Sequence, residues 1–210
     1  MIYLVTGTPD SGKSAVAEEL AVRTNDPHKI YLATMKVLDE TGRKRVAKHR
    51  KQREGKGFVT IEREYDILRV LEMIEMPSET TVLLECVSNL VGNEMHDNSD
   101  RRSPLRQAGF PQAGISPADP SSSGPSRGAG SPEQFAEEIA NEIRELAGSV
   151  HNMVIVTNEF EGGRETYDAE TKLYVGLLHM VNVRISAFAD LQYDLLTSRK
   201  ILHTGEGERV

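Results

Sequence analysis

The segment from Gly7 to Ser14 has the spacing of a phosphate-binding loop. It reads, in order, Gly7, Thr8, Pro9, Asp10, Ser11, Gly12, Lys13 and Ser14. Glycines let the backbone curl so that its N–H groups converge on phosphate oxygens, and the next helix adds its positive N-terminal end. We expect Lys13, as an exposed loop residue, to bind the β- and γ-phosphates and assist catalysis, and Ser14 to bind Mg²⁺. A chance match in a surface loop is the alternative.

A phosphate loop also needs a carboxylate at the end of a neighbouring strand to hold Mg²⁺ or its water. Glu85 is the candidate, because it directly follows the apolar run Thr80–Leu84. A strand-end glutamate in solvent is the alternative. Cys86 is interpreted as a small core residue, since no group near it in sequence would stabilise a thiolate. The sequence therefore predicts Ser14 and Glu85 as the metal-binding pair.

A basic segment from Arg43 to Lys56 contains eight lysines and arginines together with His49. In an acidic chain this concentration indicates an anion site, although a solvated basic helix is the alternative. A neutral imidazole can attack an α-phosphorus, and neighbouring cations stabilise the phosphate charge. His49 is therefore a candidate nucleophile. Its basic neighbours on a helix would be Arg45, Lys48, Arg50 and Arg53.

The elements that must position these residues alternate between strand and helix. The predicted strands are Ile2–Thr6, Lys29–Ala33, Phe58–Glu62, Thr80–Leu84 and Met153–Thr157, with a terminal pair at Asp194–Thr197 and Ile201–His203. The predicted helices are Lys13–Arg23, Asp39–Arg53, Asp66–Met76, Val87–Met95, Glu133–Leu146 and Ala169–Ala187. This alternation predicts a single α/β domain over residues 1–210, with a mostly parallel, helix-covered sheet of the P-loop NTPase type.

The stretch from Asp97 to Pro132 departs from this alternation. Of its 36 residues, 19 are Gly, Pro or Ser. Such a composition cannot bury enough apolar surface to offset the entropy of ordering it. We therefore predict a flexible insertion within the domain.

The composition restricts the class of protein further. With 32 acidic and 25 basic residues the net charge is −7, which argues against a general nucleic-acid binder. The single cysteine excludes a disulfide framework within the chain and a thiolate zinc cluster. No apolar run approaches the roughly 18 residues of a membrane span, and Met1 leads directly into a predicted strand. We expect a soluble, cytoplasmic protein.

Several motifs follow one another along the chain in a specific order. They are GTPDSGKS (7–14), YLAT (31–34), RVAKHR (45–50), TIE (60–62), LLECVSNLVGNE (83–94) and VTNE (156–159). Together they resemble the bifunctional adenosylcobinamide kinase/adenosylcobinamide-phosphate guanylyltransferase family of cobalamin biosynthesis. Many families share the phosphate loop alone, whereas its combination with the histidine-bearing basic helix and the LLEC strand is much more specific.

The resemblance implies two reactions on a corrinoid small molecule. The first is phosphorylation of the aminopropanol hydroxyl of adenosylcobinamide by ATP or GTP with Mg²⁺. The second is transfer of GMP from GTP, through guanylylated His49, to give adenosylcobinamide-GDP. The resemblance also implies a homotrimer. The nucleotide-contacting residues that it implies are Gly7 to Ser14, Thr34, Met35, Lys36, Arg50, Lys51, Gln52, Arg53, Glu62 and Glu85.

Downstream of VTNE the sequence departs from the pattern of this family. Phe160 to Gly163 stands where the family has a glycine-valine-glycine loop, and His179 replaces a glycine, although Asn182 remains. Two other interpretations therefore stay open. One is a diverged P-loop kinase for another small alcohol, which has no need of His49. The other is a nucleotide-binding regulatory paralogue without catalysis. Covalent labelling by GTP separates the first interpretation from these two.

Overall fold

A computed structural model describes residues 1–37, 39–96, 131–160, 166–195 and 203–204. The strands within these ranges are β1 Ile2–Gly7, β2 His28–Ala33, β3 Phe58–Glu62, β4 Thr80–Glu85, β5 Asn152–Asn158, β6 Leu191–Asp194 and β7 His203–Thr204. The α-helices are α1 Lys13–Arg23, α2 Glu40–Arg53, α3 Val87–Met95, α4 Pro132–Ser149 and α5 Ala169–Ser186. Two 3₁₀ helices, Ile67–Met73 and Pro77–Glu79, lie between β3 and β4.

The strands form one sheet in the order β3-β2-β4-β5-β1-β6-β7. The first six strands of this order are mutually parallel, and β7 pairs antiparallel with β6. Connections between parallel strands have to cross the sheet, and helices make most of these crossings. The predicted single-domain α/β fold with a mostly parallel sheet is confirmed. No helix in the described ranges combines the length and the apolar character needed to cross a bilayer.

The core has two unequal layers because successive strand residues point to opposite faces of the sheet. On the larger face, Leu84 packs with residues of α3, α4, α5 and the first 3₁₀ helix. On the other face, Leu83 packs with Ala17 and Ala21 of α1. Strands that are covered on both faces explain the continuous apolar runs of β4 and β5.

Two predicted elements differ from the observed ones. The segment Asp66–Met76 forms the 3₁₀ helix Ile67–Met73 rather than an α-helix. Asp66 before it has the left-handed φ of 48°, and Pro77 disfavours a helical conformation in the residue that precedes it, so little chain is left for an α-helix. The first strand of the terminal pair is Leu191–Asp194 instead of Asp194–Thr197. Its place is set by pairing with β1, a contact that the local pattern does not contain.

Of the predicted insertion Asp97–Pro132, the structure describes only the last two residues. Ser131 caps α4, since its hydroxyl accepts a hydrogen bond from the Gln134 amide at 3.2 Å. Pro132 begins the helix, a position where its missing N–H costs nothing. The rest of the insertion lies outside the described residues.

The carboxyl ends of the parallel strands meet at one edge of the sheet. At this edge Gly7 of β1 is in register with Asn158 of β5, and Ala33 of β2 is in register with both Glu85 of β4 and Glu62 of β3. Loops that leave this edge therefore bring the phosphate-loop segment and the two glutamates to the same side of the molecule. Ligands of open α/β sheets bind outside this edge.

The opposite edge of the sheet is held by a buried aspartate. The carboxylate of Asp26, which is 6% exposed, accepts hydrogen bonds from Thr81 Oγ1 at 2.6 Å and Asn152 Nδ2 at 2.9 Å. The Nδ1 atom of His151 lies 2.8 Å from its other oxygen. Burial raises the pKa of Asp26, but these hydrogen bonds outweigh burial and leave the pKa below its ordinary value of 3.8.

Replacing Asp26 with alanine is expected to lower the free energy of unfolding at pH 7 by about 2–3 kcal/mol, because Thr81 and Asn152 lose a charged acceptor. The folded-state pKa lies below the unfolded one, so this contribution is present above pH 3.8 and is lost as the pH falls through the folded-state pKa. Urea unfolding at pH 7 and pH 3 measures it. His151→Ala is the milder control, since His151 is largely exposed. Equal stability of Asp26→Ala and the wild type at pH 7 would contradict the prediction.

Candidate active site

The phosphate-loop segment folds tightly around a lysine. A Cβ atom on Gly7 would lie only 2.5 Å from Ser11 Oγ, so the close approach of the loop requires glycine there. Gly12 has a φ of 85°, a left-handed conformation that side-chain-bearing residues rarely adopt. Lys13 Nζ donates a hydrogen bond to the Thr8 carbonyl at 2.9 Å. The loop thus encloses an ammonium group with backbone around it.

The expectation that Lys13 is an exposed loop residue is wrong. It is the first residue of α1 and is 7% exposed. The loop curls over its side chain, and the bond to Thr8 holds the ammonium group inside the concave side of the loop. A lysine that is already desolvated and oriented binds phosphate with a smaller cost of ordering.

Ser14 and Glu85, the predicted metal-binding pair, are in contact. Ser14 Oγ donates a hydrogen bond to Glu85 Oε1 at 2.8 Å. Glu85 Oε2 is buried and has no hydrogen-bond partner among the described residues. Burial raises the pKa of Glu85 to about 7, although the hydrogen bond from Ser14 and the charge of Lys13 lower it. A buried carboxylate oxygen that lacks a partner, next to a hydroxyl, suits Mg²⁺ brought in with nucleotide phosphates.

Helix α2 carries His49 to the same place. The helix begins after Asp39, whose Oδ1 accepts a hydrogen bond from the Gly42 amide at 2.7 Å. His49 is half-buried and lines a cavity of about 400 Å³ together with Lys13, Ser14 and Glu85. We call this space the nucleotide cavity. The cavity thus contains both the phosphate-loop residues and the predicted nucleophile.

Arg53, at the end of α2, is the most buried cation that faces this cavity apart from Lys13. It is 6% exposed, and its guanidinium carbon lies 3.4 Å from the centroid of the Tyr31 ring. Its Nη2 atom contacts Thr60 Oγ1 at 3.4 Å, whereas Nε and Nη1 are buried with no hydrogen-bond partner in the described part of the chain. A buried guanidinium with unused donors fits an anionic ligand.

The nucleotide cavity brings together most of the predicted site residues. Those that line it are Pro9, Asp10, Gly12, Lys13, Ser14, Met35, His49, Arg50, Gln52, Arg53, Glu62 and Glu85. Arg50 and Glu62 form an ion pair of 2.6 Å at the rim, with both side chains more than half exposed. Exposed pairs contribute little to stability, so this pair can open for a ligand at small cost.

The other predicted residues lie around the cavity rather than on its wall: Gly7, Thr8, Ser11, Thr34, Lys36 and Lys51. Lys51 faces an open depression of about 870 Å³ on the outer side of α2. Thr34 is fully buried, and its hydroxyl donates to the Cys86 carbonyl at 2.8 Å and accepts from the Cys86 amide at 2.9 Å. Its side chain therefore holds the end of β4 in place. Burial also raises the pKa of the Cys86 thiol, consistent with a core residue.

Sequence reasoning missed two asparagines that line the nucleotide cavity, Asn89 and Asn158. Asn158 ends β5 and donates a hydrogen bond to Ser88 Oγ at 2.6 Å. Its position at the end of a buried strand, inside the VTNE motif, was a signal that could have identified it. Asn89 lies in the first turn of α3, where nothing in the sequence distinguishes it from other helical asparagines.

Replacing Glu85 with glutamine is expected to stabilise the nucleotide-free protein at pH 8 by on the order of 1–3 kcal/mol, because a buried carboxylate is costly to ionise. The folded-state pKa, about 7, exceeds the ordinary value of 4.5. The contribution of Glu85 to stability is therefore full below pH 4.5 and is lost as the pH rises through about 7. Urea unfolding at pH 5 and pH 8 measures the difference. A variant less stable than the wild type at pH 8 would contradict this expectation.

The parallel sheet, the loop around Lys13 and the contact between Ser14 and the strand-end Glu85 define a P-loop nucleotide-binding protein. The chain belongs to the family described as cobinamide kinase/cobinamide phosphate guanyltransferase, which it matches over residues 3–198. This result confirms the family that the sequence motifs indicate.

One curated relative is the bifunctional adenosylcobalamin biosynthesis protein CobU of Escherichia coli (strain K12). It is 35% identical over 104 residues, which make up 50% of this chain and 55% of the relative. The matched part thus spans about half the length of that relative.

Two solved structures are distantly similar. The flagellar accessory protein FlaH from Methanocaldococcus jannaschii has a TM-score of 0.44 at 11% identity, covering 92% of this chain and 70% of that chain. The other is an isolated ATPase domain, which has a TM-score of 0.48 at 9% identity, covering 92% of this chain and 68% of that chain.

Proposed function

We propose that this protein phosphorylates adenosylcobinamide with a nucleoside triphosphate and then transfers GMP from GTP through His49. One observation carries the proposal: the phosphate loop, the Ser14–Glu85 pair and His49 line one cavity. A kinase alone has no need of a histidine there, and a regulatory nucleotide-binding protein needs neither the histidine nor a buried carboxylate without a partner. Membership in the family supports both reactions.

In the kinase step, the aminopropanol hydroxyl of the acceptor attacks the γ-phosphorus. The bond from that phosphorus to the β–γ bridging oxygen breaks, the nucleoside diphosphate leaves with the electron pair, and the hydroxyl proton passes to solvent. Lys13 offsets the charge that develops on the phosphate oxygens. Mg²⁺, where Ser14 and Glu85 hold it, would supply further charge neutralisation and orient the phosphates.

In the transferase step, His49 attacks the α-phosphorus of GTP. The Nδ1 atom of His49 is buried, so the proposal assigns the attack to Nε2. A phosphorus–nitrogen bond forms, the bond to the α–β bridging oxygen breaks, and pyrophosphate leaves. A phosphate oxygen of the phosphorylated corrinoid then attacks the same phosphorus and releases the imidazole. The cationic side chains of Lys48, Arg50 and Arg53, which share the cavity, would stabilise the leaving pyrophosphate.

Incubation with α-labelled GTP and Mg²⁺ tests the transferase half. The expected result is an acid-labile, alkali-stable label on the protein with release of one pyrophosphate per label. Adenosylcobinamide phosphate should discharge the label into a nucleotide-corrinoid product. Absence of label while adenosylcobinamide is phosphorylated would favour the diverged kinase. Nucleotide binding with neither label nor turnover would favour the regulatory paralogue.

The homotrimer, the cytoplasmic location and the choice between ATP and GTP as phosphoryl donor stay predictions. Sedimentation of the purified chain measures the first, and steady-state turnover with each nucleotide measures the last.

A further inference from the structure

A second cavity adjoins the nucleotide cavity and has no role in the two steps above. Its volume is about 560 Å³, and it lies against α3, the first turn of α5 and the segment that follows β3. Asn89 lines both cavities. The side chain of Asn89 makes no hydrogen bond with any other described residue. The two spaces therefore meet at a polar side chain that is available to a ligand.

The walls of this second cavity are fixed in place by contacts with their neighbours. Tyr174 donates its hydroxyl to the Ser88 carbonyl at 3.1 Å and packs edge-on against Phe160. Asn93 donates from Nδ2 to the carbonyls of Thr34 at 2.7 Å and Glu64 at 3.1 Å. Both bonds use the amino group, so the Asn93 carbonyl oxygen keeps its capacity to accept. Aromatic rings and fixed amides make a preorganised surface for a ligand.

The charges of the second cavity differ from those of the nucleotide cavity. Lys36 contributes one positive charge and Glu170 one negative charge, with His96 Nε2 3.5 Å from the Glu170 carboxylate. The lysines and arginines that line the nucleotide cavity, among the described residues, are Lys13, Lys48, Arg50 and Arg53. A triphosphate is therefore drawn to the nucleotide cavity, whereas a neutral ligand is not repelled by the second cavity.

We propose that the second cavity binds the acceptor: a neutral molecule with a flat apolar ring system, carboxamide side arms and a terminal alcohol. The ring system would pack on Tyr174 and Tyr65, and the carboxamides would pair with Asn93 and Thr171. The alcohol would pass Asn89 to reach the γ-phosphorus. This assignment rests on the proposed function, and it adds the location of the acceptor and the residues that select it.

Filling the second cavity with a side chain tests the assignment. A Cβ atom on Gly92 would lie 3.6 Å from Tyr174 Cε2, an ordinary contact, so Gly92→Ala is a tolerated control and Gly92→Leu places three further carbons in the cavity. Gly92→Leu is expected to raise the KM for adenosylcobinamide by about tenfold or more. Gly92→Ala should change it by less than about threefold. The Kd of Mg²⁺–GTP and labelling by α-labelled GTP should be unchanged in both.

Thr171→Arg provides an independent block, because Thr171 lines the same cavity at the start of α5. Its control is Lys172→Arg on the exposed side of that helix. Thr171→Arg should reproduce the rise in KM, which keeps the test valid if Gly92→Leu fails to fold. An unchanged KM in both blocking variants would overturn the acceptor site, and so would a weakened Kd for GTP. A wild type that neither binds nor phosphorylates adenosylcobinamide would instead overturn the proposed function itself.

Discussion

Replacing His49 with alanine is expected to reduce labelling by α-labelled GTP by about 10³-fold or more, because loss of a nucleophile removes the covalent route altogether. The phosphate loop does not depend on this side chain, so the Kd of Mg²⁺–GTP should change by less than about threefold. Phosphorylation of adenosylcobinamide should continue, since transfer of the γ-phosphoryl group is direct. Autoradiography of the denatured protein and a kinase assay measure these quantities on one preparation.

His28→Ala is the matched control, because His28 is an exposed histidine at the start of β2, at the opposite edge of the sheet. It should take the label as the wild type does. His49→Gly with added imidazole gives a second check, since free imidazole can occupy the vacated space and restore GMP transfer. A label of wild-type intensity on His49→Ala would leave the chemistry intact and refute the choice of residue.

Replacing Lys13 with alanine is expected to weaken nucleoside triphosphate binding by about 100-fold and to abolish both reactions. The ammonium group is buried inside the loop, where its interaction with phosphate oxygens is screened little by solvent. Its hydrogen bond to the Thr8 carbonyl contributes about 1 kcal/mol to folding. The melting temperature should therefore fall by only a few degrees, and titration calorimetry with Mg²⁺–GTP measures the loss of affinity.

Lys172→Ala is the control for Lys13→Ala, because Lys172 is exposed on α5 and does not line the nucleotide cavity. Its nucleotide affinity should equal that of the wild type. Wild-type affinity in Lys13→Ala would show that the loop does not bind phosphate. Loss of cooperative unfolding in Lys13→Ala would show instead that the lysine has a mainly structural role.

Local patterns were sufficient to predict the elements next to the phosphate loop. Helix α1 begins and ends at the predicted residues, Lys13 and Arg23, because its apolar spacing and its preceding glycine are both local signals. The position of β6 could not be predicted in the same way. Its residues are only half-buried, and the strand is defined by its register with β1 near the start of the chain, where Tyr3 pairs with Leu191.

The candidate site divides along the same line. The residues of the loop and of α2 are contiguous in sequence, so their chemistry could be recognised from their spacing. The second cavity combines residues from distant parts of the chain, such as Tyr65, Asn89 and Tyr174, which only the fold brings together. The burial of Lys13 was also beyond reach, because it depends on how the loop closes over the side chain and not on which residues the loop contains.

The position of His49 on the wall of the nucleotide cavity has a kinetic consequence. A space of about 400 Å³ is of the size that holds one small ligand. If both reactions use this space, they cannot proceed side by side: the spent diphosphate of the first has to depart before GTP can enter for the second. ATP and GTP would then be rivals for one berth, and the ratio of the two nucleotides would set how often a phosphorylated acceptor is carried on to its guanylylated form.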